Sequence, residues 1–155
     1  MTMTPQLQTK YVFTLVIEVG APIVAGDFGY GLRRVIPILG GTVHGDGITG
    51  RILPGGADFQ VIRPDGFTEL EAKYAFELDG GAVVYIENIG IRFGPKQALD
   101  RIARGEAVDP ALIYFRSVPR FETGAPAYRW LMQNLFVGVG ARYPDRVELD
   151  VHQVL

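Results

Sequence analysis

The sequence predicts an all-β domain: a closed antiparallel β-barrel of the calycin or lipocalin kind, with about eight to ten strands and one short helix. Three observations support this fold class. The chain has 20 glycines among its 155 residues, against an average usage of roughly 7%, yet its 48% of hydrophobic residues provide enough apolar surface to fold. Turn signals recur about every 8–12 residues, which is typical of sandwiches and barrels. Long adjacent hairpins, with glycines inside strands, favour closure into a barrel.

The first predicted element is a flexible leader at residues 1–10, which are polar, so that residues 11–155 form a single barrel domain. Residues 11–19 are rich in β-branched and aromatic side chains, and glycine and proline follow them, which predicts the first strand. Residues 20–31 contain four glycines and one proline, and this composition predicts a loop.

The next segments are interrupted by glycine pairs. Residues 33–45 predict one bent strand or two short ones, because Gly40-Gly41 inside a strand usually marks a bend or a bulge. Residues 48–53 and 57–62 predict the two strands of a hairpin, with Pro54-Gly55-Gly56 as the connection.

The clearest strand covers residues 68–78, where apolar and charged side chains alternate with period two. One face of this strand carries Thr68, Leu70, Ala72, Tyr74, Phe76 and Leu78. Asp79-Gly80-Gly81 then turns the chain into residues 82–91, which predict the partner strand of a long hairpin.

The last third of the chain begins with the predicted helix at residues 95–103, where Pro95 suits a first helical turn. A strand at residues 112–118 and a helical turn at residues 128–131 follow. The final hairpin pairs residues 135–142 with residues 146–155, around Tyr143-Pro144-Asp145.

Composition excludes several classes of protein. The net charge of −2 is too acidic for a non-specific nucleic-acid binder, and the longest apolar runs of about eight residues are far shorter than the roughly 18 that a membrane span needs. With no cysteine and two histidines far apart, His44 and His152, the sequence predicts no metal and no other cofactor. We expect a cytoplasmic protein whose partner is a small organic molecule, and a mean hydropathy of +0.16 favours a homodimer.

Six segments together resemble a known family, and the Gly-Gly-Ala-Asp-aromatic-Gln segment is the most specific of them. They are residues 33–38, 53–60, 63–66, 114–116, 121–123 and 128–131. The family is domain of unknown function three-two-three-seven, also called uncharacterised protein family three-eleven, and the resemblance extends from Tyr11 to Leu155. Phe59 stands where members often carry Trp, and Met132-Gln133 replaces a more polar pair. The resemblance implies an antiparallel β-barrel with an internal cavity, and it implies no function.

Three residues are the catalytic candidates: Asp58, Tyr74 and Asn88. A carboxylate at Asp58 can remove a proton, and a phenol and an amide on inward faces can stabilise a developing oxyanion. The alternatives are that Asp58 caps the turn at Gly55-Gly56 and that Tyr74 and Asn88 are polar core residues with internal partners.

Six more residues are candidates for substrate binding: Arg33, Gln60, Arg116, Glu122, Trp130 and Phe136. An inward Arg116 would clamp an anionic group, or else form a structural ion pair. Arg33 and Arg34 point to opposite faces, so only one of them can face the interior. Glu122 is either a second acid–base group or a loop anchor, and Trp130 either lines an aromatic cavity or plugs one end of the barrel.

The function predicted from these residues is a cofactor-independent enzyme of the isomerase, cyclase or lyase type. It would transfer protons on a small, partly hydrophobic molecule with a carbonyl or phenol group. One alternative is a lipocalin-like carrier without catalysis. Another is a structural module whose interior is filled by Tyr74, Phe76, Trp130 and Phe136.

Overall fold

The computed structural model describes residues 3–155, so the first two residues of the predicted leader lie outside the described part of the chain. The described residues form ten strands, one α-helix (α1, Lys96–Ala103) and two short 3₁₀-helices, Pro110–Leu112 and Pro126–Met132. The strands are β1 (Thr9–Val19), β2 (Ile23–Asp27), β3 (Leu32–Gly45), β4 (Ile48–Ile52), β5 (Ala57–Ile62), β6 (Thr68–Leu78), β7 (Val83–Phe93), β8 (Tyr114–Glu122), β9 (Phe136–Arg142) and β10 (Arg146–Val154).

The strands close into an antiparallel barrel with eight strand positions, which confirms the predicted fold class. β6, β7, β8, β9 and β10 follow one another as antiparallel neighbours. β1 then pairs with β10 on one side and with β3 on the other. This second pairing of β1 closes the ring, since β3 connects back to β6 through β4 and β5.

β4 and β5 share one position in the barrel, and the predicted hairpin between them is wrong. Both strands run antiparallel to β3 and to β6, so β5 continues in the direction of β4. Residues 53–56 loop out between the two strands as a bulge opposite residues 38–40 of β3. Gly55, with φ of +110°, permits this excursion, and Gly56 brings the backbone against Lys73 and Tyr74 of β6, where a Cβ would clash. Proline and glycine mark a bulge as readily as a turn, and only the pairing with β3 distinguishes the two.

β2 lies in the segment predicted to be a loop. It pairs with the first half of β3 and runs in the same direction as β1, which pairs with the second half. Among the described residues β2 has no second partner strand. The barrel wall is therefore unpaired beside β2, next to the turn between β9 and β10.

The hairpin of β6 and β7 is confirmed, because its ladder extends from Thr68 opposite Arg92 to Glu77 opposite Val83. The inward face of β6 is the predicted one, and every residue on it but Ala72 is buried. Ala72 is half-buried and lines the interior.

The barrel interior has two different halves. The half near the turn between β6 and β7 is packed with aromatic rings, among them Phe13, Phe121 and Phe136, whose neighbouring centroids lie 5.7 Å and 5.2 Å apart. The other half holds polar side chains, and α1 covers its end. Arg34 of β3 donates a hydrogen bond from its guanidinium to the carbonyl of Ala103 at the end of α1, at 2.9 Å. The barrel interior is therefore aromatic at one end and polar at the other.

Within residues 3–155, none of the helices has the length and apolar character that crossing a membrane requires.

Candidate functional site

A cavity lies in the polar half of the barrel. The space open to the centres of water-sized molecules is about 40 Å³, and since one water needs about 10–15 Å³ on this scale, it accommodates about three waters or a small ligand group. The empty space including the mouth is about 530 Å³. Polar and apolar side chains both line it: Asp58, Gln60, Tyr74, Asn88, Ser117 and Arg142, with Ile17, Val19, Ile36, Ile38, Leu70, Ala72, Gly90, Phe115, Val147 and Leu149.

Asp58 and Asn88 are brought together by strand register. Asp58 of β5 pairs with Ala72 of β6, and Ala72 pairs with Asn88 of β7, so the three residues form one row across the wall. Because Ala72 is small, the longer side chains of Asp58 and Asn88 on either side of it line the same cavity. The bulge at residues 53–56 ends two residues before Asp58, and it sets which face of β5 points into the barrel.

A hydrogen-bonded chain holds Asp58 in place. Gln60, which is 1% exposed, donates from Nε2 to Oδ2 of Asp58 at 2.9 Å. Arg34 donates to Oε1 of the same Gln60 at 3.4 Å. Since Gln60 is fixed at both ends of its amide, it acts as a positioning residue for the carboxyl group of Asp58.

Four buried polar atoms on the cavity wall have no hydrogen-bond partner among residues 3–155. They are Oδ1 of Asp58, the hydroxyl of Tyr74, Oδ1 of Asn88 and Oγ of Ser117. A buried polar atom without a partner costs about 1–3 kcal/mol, so native proteins rarely carry several at one place. Their grouping around one cavity is typical of a site whose partner is a ligand.

Ser117 and the glycines around it were not among the residues predicted for the site. Ser117 lies between Gly90 of β7 and Gly138 of β9 in the strand register. A Cβ at either glycine would collide with the Ser117 side chain, so the two glycines make room for it. The alternation pattern did not identify Ser117 as an inward residue, because β8 has apolar residues on both faces.

Burial controls the proton affinities at this site. It raises the pKa of Asp58 above its usual value. The hydrogen bond from Gln60, the charge of Arg92, a backbone hydrogen bond from Glu71 and the charge of Arg142 oppose that rise without cancelling it. Burial also raises the pKa of Tyr74, and the charge of Asp58 adds to the effect. Tyr74 is thus a neutral hydroxyl, able to donate, throughout the physiological range.

Three arginines surround the single carboxyl group of the site. Arg34, Arg92 and Arg142 all act electrostatically on Asp58. Burial lowers the pKa of Arg92 to about 10, which keeps its guanidinium charged at neutral pH. Arg34, and not Arg33, is the inward residue of its pair: Arg33 lies on the outer face of β3, with its guanidinium 5.9 Å from the Phe28 ring centroid. The candidate Arg33 is therefore wrong for the cavity.

Arg116 and Glu122 also lie outside the barrel, and the prediction that they face the cavity is wrong. β8 alternates exposed and buried residues, with both on its exposed face. The guanidinium of Arg116 lies 5.0 Å from the Tyr114 ring centroid, on the outer surface. Phe115 and Ser117 occupy the inward positions, because the strand is one residue out of phase with the predicted face.

Trp130 and Phe136 are part of the aromatic half of the barrel. Their ring centroids are 6.0 Å apart, and Phe136 is buried in the same cluster as Phe13 and Phe76. Trp130 is half-buried against that cluster. Both residues form the plug that was the alternative for Trp130, and neither lines the polar cavity.

Of the nine predicted residues, the structure thus brings Asp58, Gln60, Tyr74 and Asn88 together at one cavity. Arg142, which the sequence did not single out, lines the same cavity, and the guanidinium of Arg92 lies 5.6 Å from the ring centroid of Phe115 on the cavity wall. In the described part of the chain, no three histidine, aspartate or glutamate side chains come close enough together to hold a metal ion.

Comparison with known proteins shows a consistent set of relatives. The family described as "Protein of unknown function (DUF3237)" matches residues 7–154. A UPF0311 protein of Rhodopseudomonas palustris is 65% identical over 153 residues, which cover 99% of this chain and 100% of that protein. The crystal structure of a conserved protein of unknown function from the same species has a TM-score of 0.93 at 64% identity, covering 98% of this chain and 100% of that one.

For two further solved structures, the match covers 100% of this chain and 100% of the other chain. A beta-barrel like protein from Acinetobacter baumannii has a TM-score of 0.87 at 34% identity. A protein from Penicillium herquei described as an enzyme has a TM-score of 0.73 at 16% identity, a likeness that shows the fold alone.

Proposed function

This chain belongs to the DUF3237 family of proteins of unknown function, and we propose that it is an enzyme that transfers protons on a small ligand inside the barrel. The observation that carries the proposal is the group of four buried, unpartnered polar atoms around one cavity, one of which belongs to a carboxyl group with a raised pKa. Enzymes tune acids and bases in this way, by burying them beside selected charges.

Asp58 is the general base and acid of the proposed reaction. Its free Oδ1 faces the cavity, while Gln60 holds Oδ2. The carboxylate accepts a proton from an acidic C–H or O–H of the ligand. It returns that proton to another carbon in an isomerisation, or to the departing oxygen when a C–O bond breaks in an elimination. In a cyclisation an O–H adds across a C=C bond, so that a C–O bond forms and the proton goes to the neighbouring carbon. A raised pKa makes the Asp58 carboxylate a stronger base than an exposed aspartate.

Tyr74 and Asn88 stabilise the charge that develops when the proton leaves. The hydroxyl of Tyr74 and the amide of Asn88 donate hydrogen bonds to the ligand oxygen that becomes an enolate or phenolate. Tyr74 remains a donor because its pKa is raised. The apolar walls, including Ile36, Leu70 and Leu149, exclude water from the reacting atoms.

The experiment is hydrogen–deuterium exchange at carbon, followed by proton NMR in D2O. Cyclopentanone, cyclohexanone and 2′-hydroxyacetophenone are incubated with the protein, and loss of the α-proton signals is compared with the rate in buffer. We expect faster exchange with the wild-type protein and a loss of about 10²–10⁴-fold of that acceleration in Asp58→Asn. Glu77→Gln is the control, since Glu77 pairs with Arg51 on the outer surface. Equal acceleration by wild type and Asp58→Asn would show the assignment to be wrong.

The same samples distinguish the proposed enzyme from a carrier without catalysis. A carrier binds one of these molecules saturably, with a shift in melting temperature, and does not accelerate exchange for any of them.

We infer from composition that the protein is cytoplasmic and from its mean hydropathy of +0.16 that it forms a homodimer. The proposed dimer interface is the outer face of β7 and β8, where Ile89 and Val118 are more than half exposed.

A further inference from the structure

We propose that the cavity recognises an organic anion, and that Arg92 and Arg142 bind its carboxylate group. The inference rests on the proposed function and narrows its substrate class to small carboxylates that also carry a carbonyl or hydroxyl group. It follows from the placement of the charged side chains in the polar half of the barrel.

Arg92 is a buried cation that makes no direct ion pair with any described residue of the chain. It lies on the inward face of β7, is 2% exposed, and leaves its Nε without a hydrogen-bond partner. Its guanidinium lies 5.6 Å from the ring centroid of Phe115, a residue of the cavity wall. No carboxylate of residues 3–155 comes within 4 Å of it. A buried arginine is costly without an anion beside it.

Arg142 approaches the same place from the neighbouring wall. It is the last residue of β9, and Gly138, Gly140 and Arg142 share the inward face of that strand. The ring of Phe115 occupies the space that a side chain at Gly140 would fill. Arg142 itself lines the cavity, as Phe115 does. Besides burial, the charge of Arg142 lowers the pKa of Arg92, so the two guanidiniums lie in the same polar half of the barrel.

The charge balance of this half is positive. Arg34, Arg92 and Arg142 face one carboxyl group, Asp58, whose raised pKa reduces its negative charge further. Outer arginines of the same barrel have carboxylate partners, as in the pairs of Arg51 with Glu77, Arg63 with Glu69 and Arg146 with Glu148. Among the described residues, the three inner arginines thus form no ion pair with a carboxylate, whereas several outer arginines do.

A carboxylate fits this arrangement better than other anions. Guanidinium groups bind a planar carboxylate through two parallel hydrogen bonds. The cavity that Arg142 lines has the Phe115 ring and Leu149 among its walls, which suits a flat organic group. With its carboxylate on the arginines, the rest of the ligand reaches toward Asp58, Tyr74 and Asn88.

The test uses two pairs of probes that differ in charge and hardly in shape: benzoate with benzamide, and acetate with acetamide. Binding is measured by titration calorimetry and by shifts of backbone amide signals in NMR at neutral pH. We expect at least one carboxylate to bind at least 10-fold more tightly than its amide, and to bind more weakly as salt concentration rises. Equal binding of acid and amide in both pairs, or no binding of either carboxylate, would overturn the proposal. Tighter binding of inorganic phosphate than of acetate would overturn the choice of carboxylate.

Variants of three arginines locate the site. Arg142→Gln should weaken carboxylate binding at least 10-fold, while Arg142→Lys, which keeps the charge, should retain part of it. Arg142 also bonds the carbonyls of Tyr143 and Arg146 in the adjacent turn, so the lysine variant separates charge from turn structure. Arg92→Met should abolish the preference for carboxylate over amide. Arg116→Gln removes an outer arginine and should leave binding unchanged; a loss as large as that in Arg142→Gln would contradict the assignment.

The proposed function and this inference fail separately. Asp58→Asn should still bind benzoate through the arginines while it loses the exchange activity. Arginine-dependent benzoate binding without any exchange activity would reject the enzyme and keep the anion site. Exchange activity without any preference for carboxylates over amides would keep the enzyme and reject the anion site.

Discussion

Gln60 donates a hydrogen bond to one oxygen of the Asp58 carboxyl group at 2.9 Å and leaves the other oxygen free in the cavity. The two residues are two positions apart on β5, so their side chains share its inward face. Arg34 holds Gln60 from the other side. One oxygen of Asp58 is thus tied to the barrel wall, and the other is open to a ligand.

The pH dependence of stability should reveal the raised pKa of Asp58. The folded protein binds this proton more tightly than the unfolded chain does, so stability from this group is complete below the usual aspartate pKa of about 3.9 and falls as pH rises through the native pKa. In Asp58→Asn that fall is absent. We expect the free energy of unfolding of the variant, relative to wild type, to rise with pH when measured by urea denaturation from pH 4 to 8. A difference that stays constant across this range would contradict the assignment.

Replacement of Gln60 should shift the pKa of Asp58 further upward. The hydrogen bond from Gln60 favours the ionised carboxylate, and Gln60→Met removes it. We expect a higher Asp58 pKa in a carbon-13 NMR titration of the carboxyl signals, and a loss of about 1–3 kcal/mol in stability because buried partners are left unpaired. Gln133→Met, at an exposed position, is the control. An unchanged Asp58 pKa in Gln60→Met would show that the bond has no role in tuning it.

Removal of the Tyr74 hydroxyl should increase stability and reduce activity. The hydroxyl is buried and unpartnered in the free protein, so Tyr74→Phe relieves a desolvation cost of up to about 1–3 kcal/mol. The same variant loses a donor to the developing oxyanion and should slow the deuterium exchange. Tyr85→Phe, which removes a hydroxyl bonded to Glu87 at 2.9 Å, should show no such gain. If Tyr74→Phe is less stable than wild type, the hydroxyl has a partner in the free protein.

Gly140 should be needed for the shape of the cavity. A Cβ at this position would lie 2.6 Å from Cδ1 of Phe115, so Gly140→Ala must displace this ring, which forms part of the cavity wall. We expect destabilisation of about 1–3 kcal/mol from overpacking and a loss of benzoate binding. Gly124→Ala is the matched control, because nothing lies within 4 Å of its Cβ position and its φ is ordinary. Benzoate affinity equal to wild type in Gly140→Ala would place the anion elsewhere.

Local patterns predicted the strands well where one face is apolar and the other charged. In β6 the alternation from Thr68 to Leu78 identified both the strand and its inward face, since side chains on a strand alternate with period two. The same reasoning failed for β8, because Tyr114 and Val118 on the outer face are as apolar as Phe115 and Phe121 on the inner one. Two of the charged residues that mark the outer face, Arg120 and Glu122, lie beyond residue 118, where the predicted strand ended. Within residues 112–118 the phase of the alternation was therefore undetermined, and Arg116 was assigned to the wrong side.

The sequence alone determined that this protein is a glycine-rich antiparallel barrel and that Asp58, Gln60, Tyr74 and Asn88 are candidates for one site. Turn residues, period-two alternation and isolated polar residues are local signals, and they are legible in a single chain. Only the tertiary structure decided that β5 continues β4, that Arg92 and Arg142 lie in the polar half of the barrel, and that Trp130 belongs to the plug. These facts depend on which strands pair and in what register. Register is set by contacts between residues far apart in sequence, which no local pattern encodes.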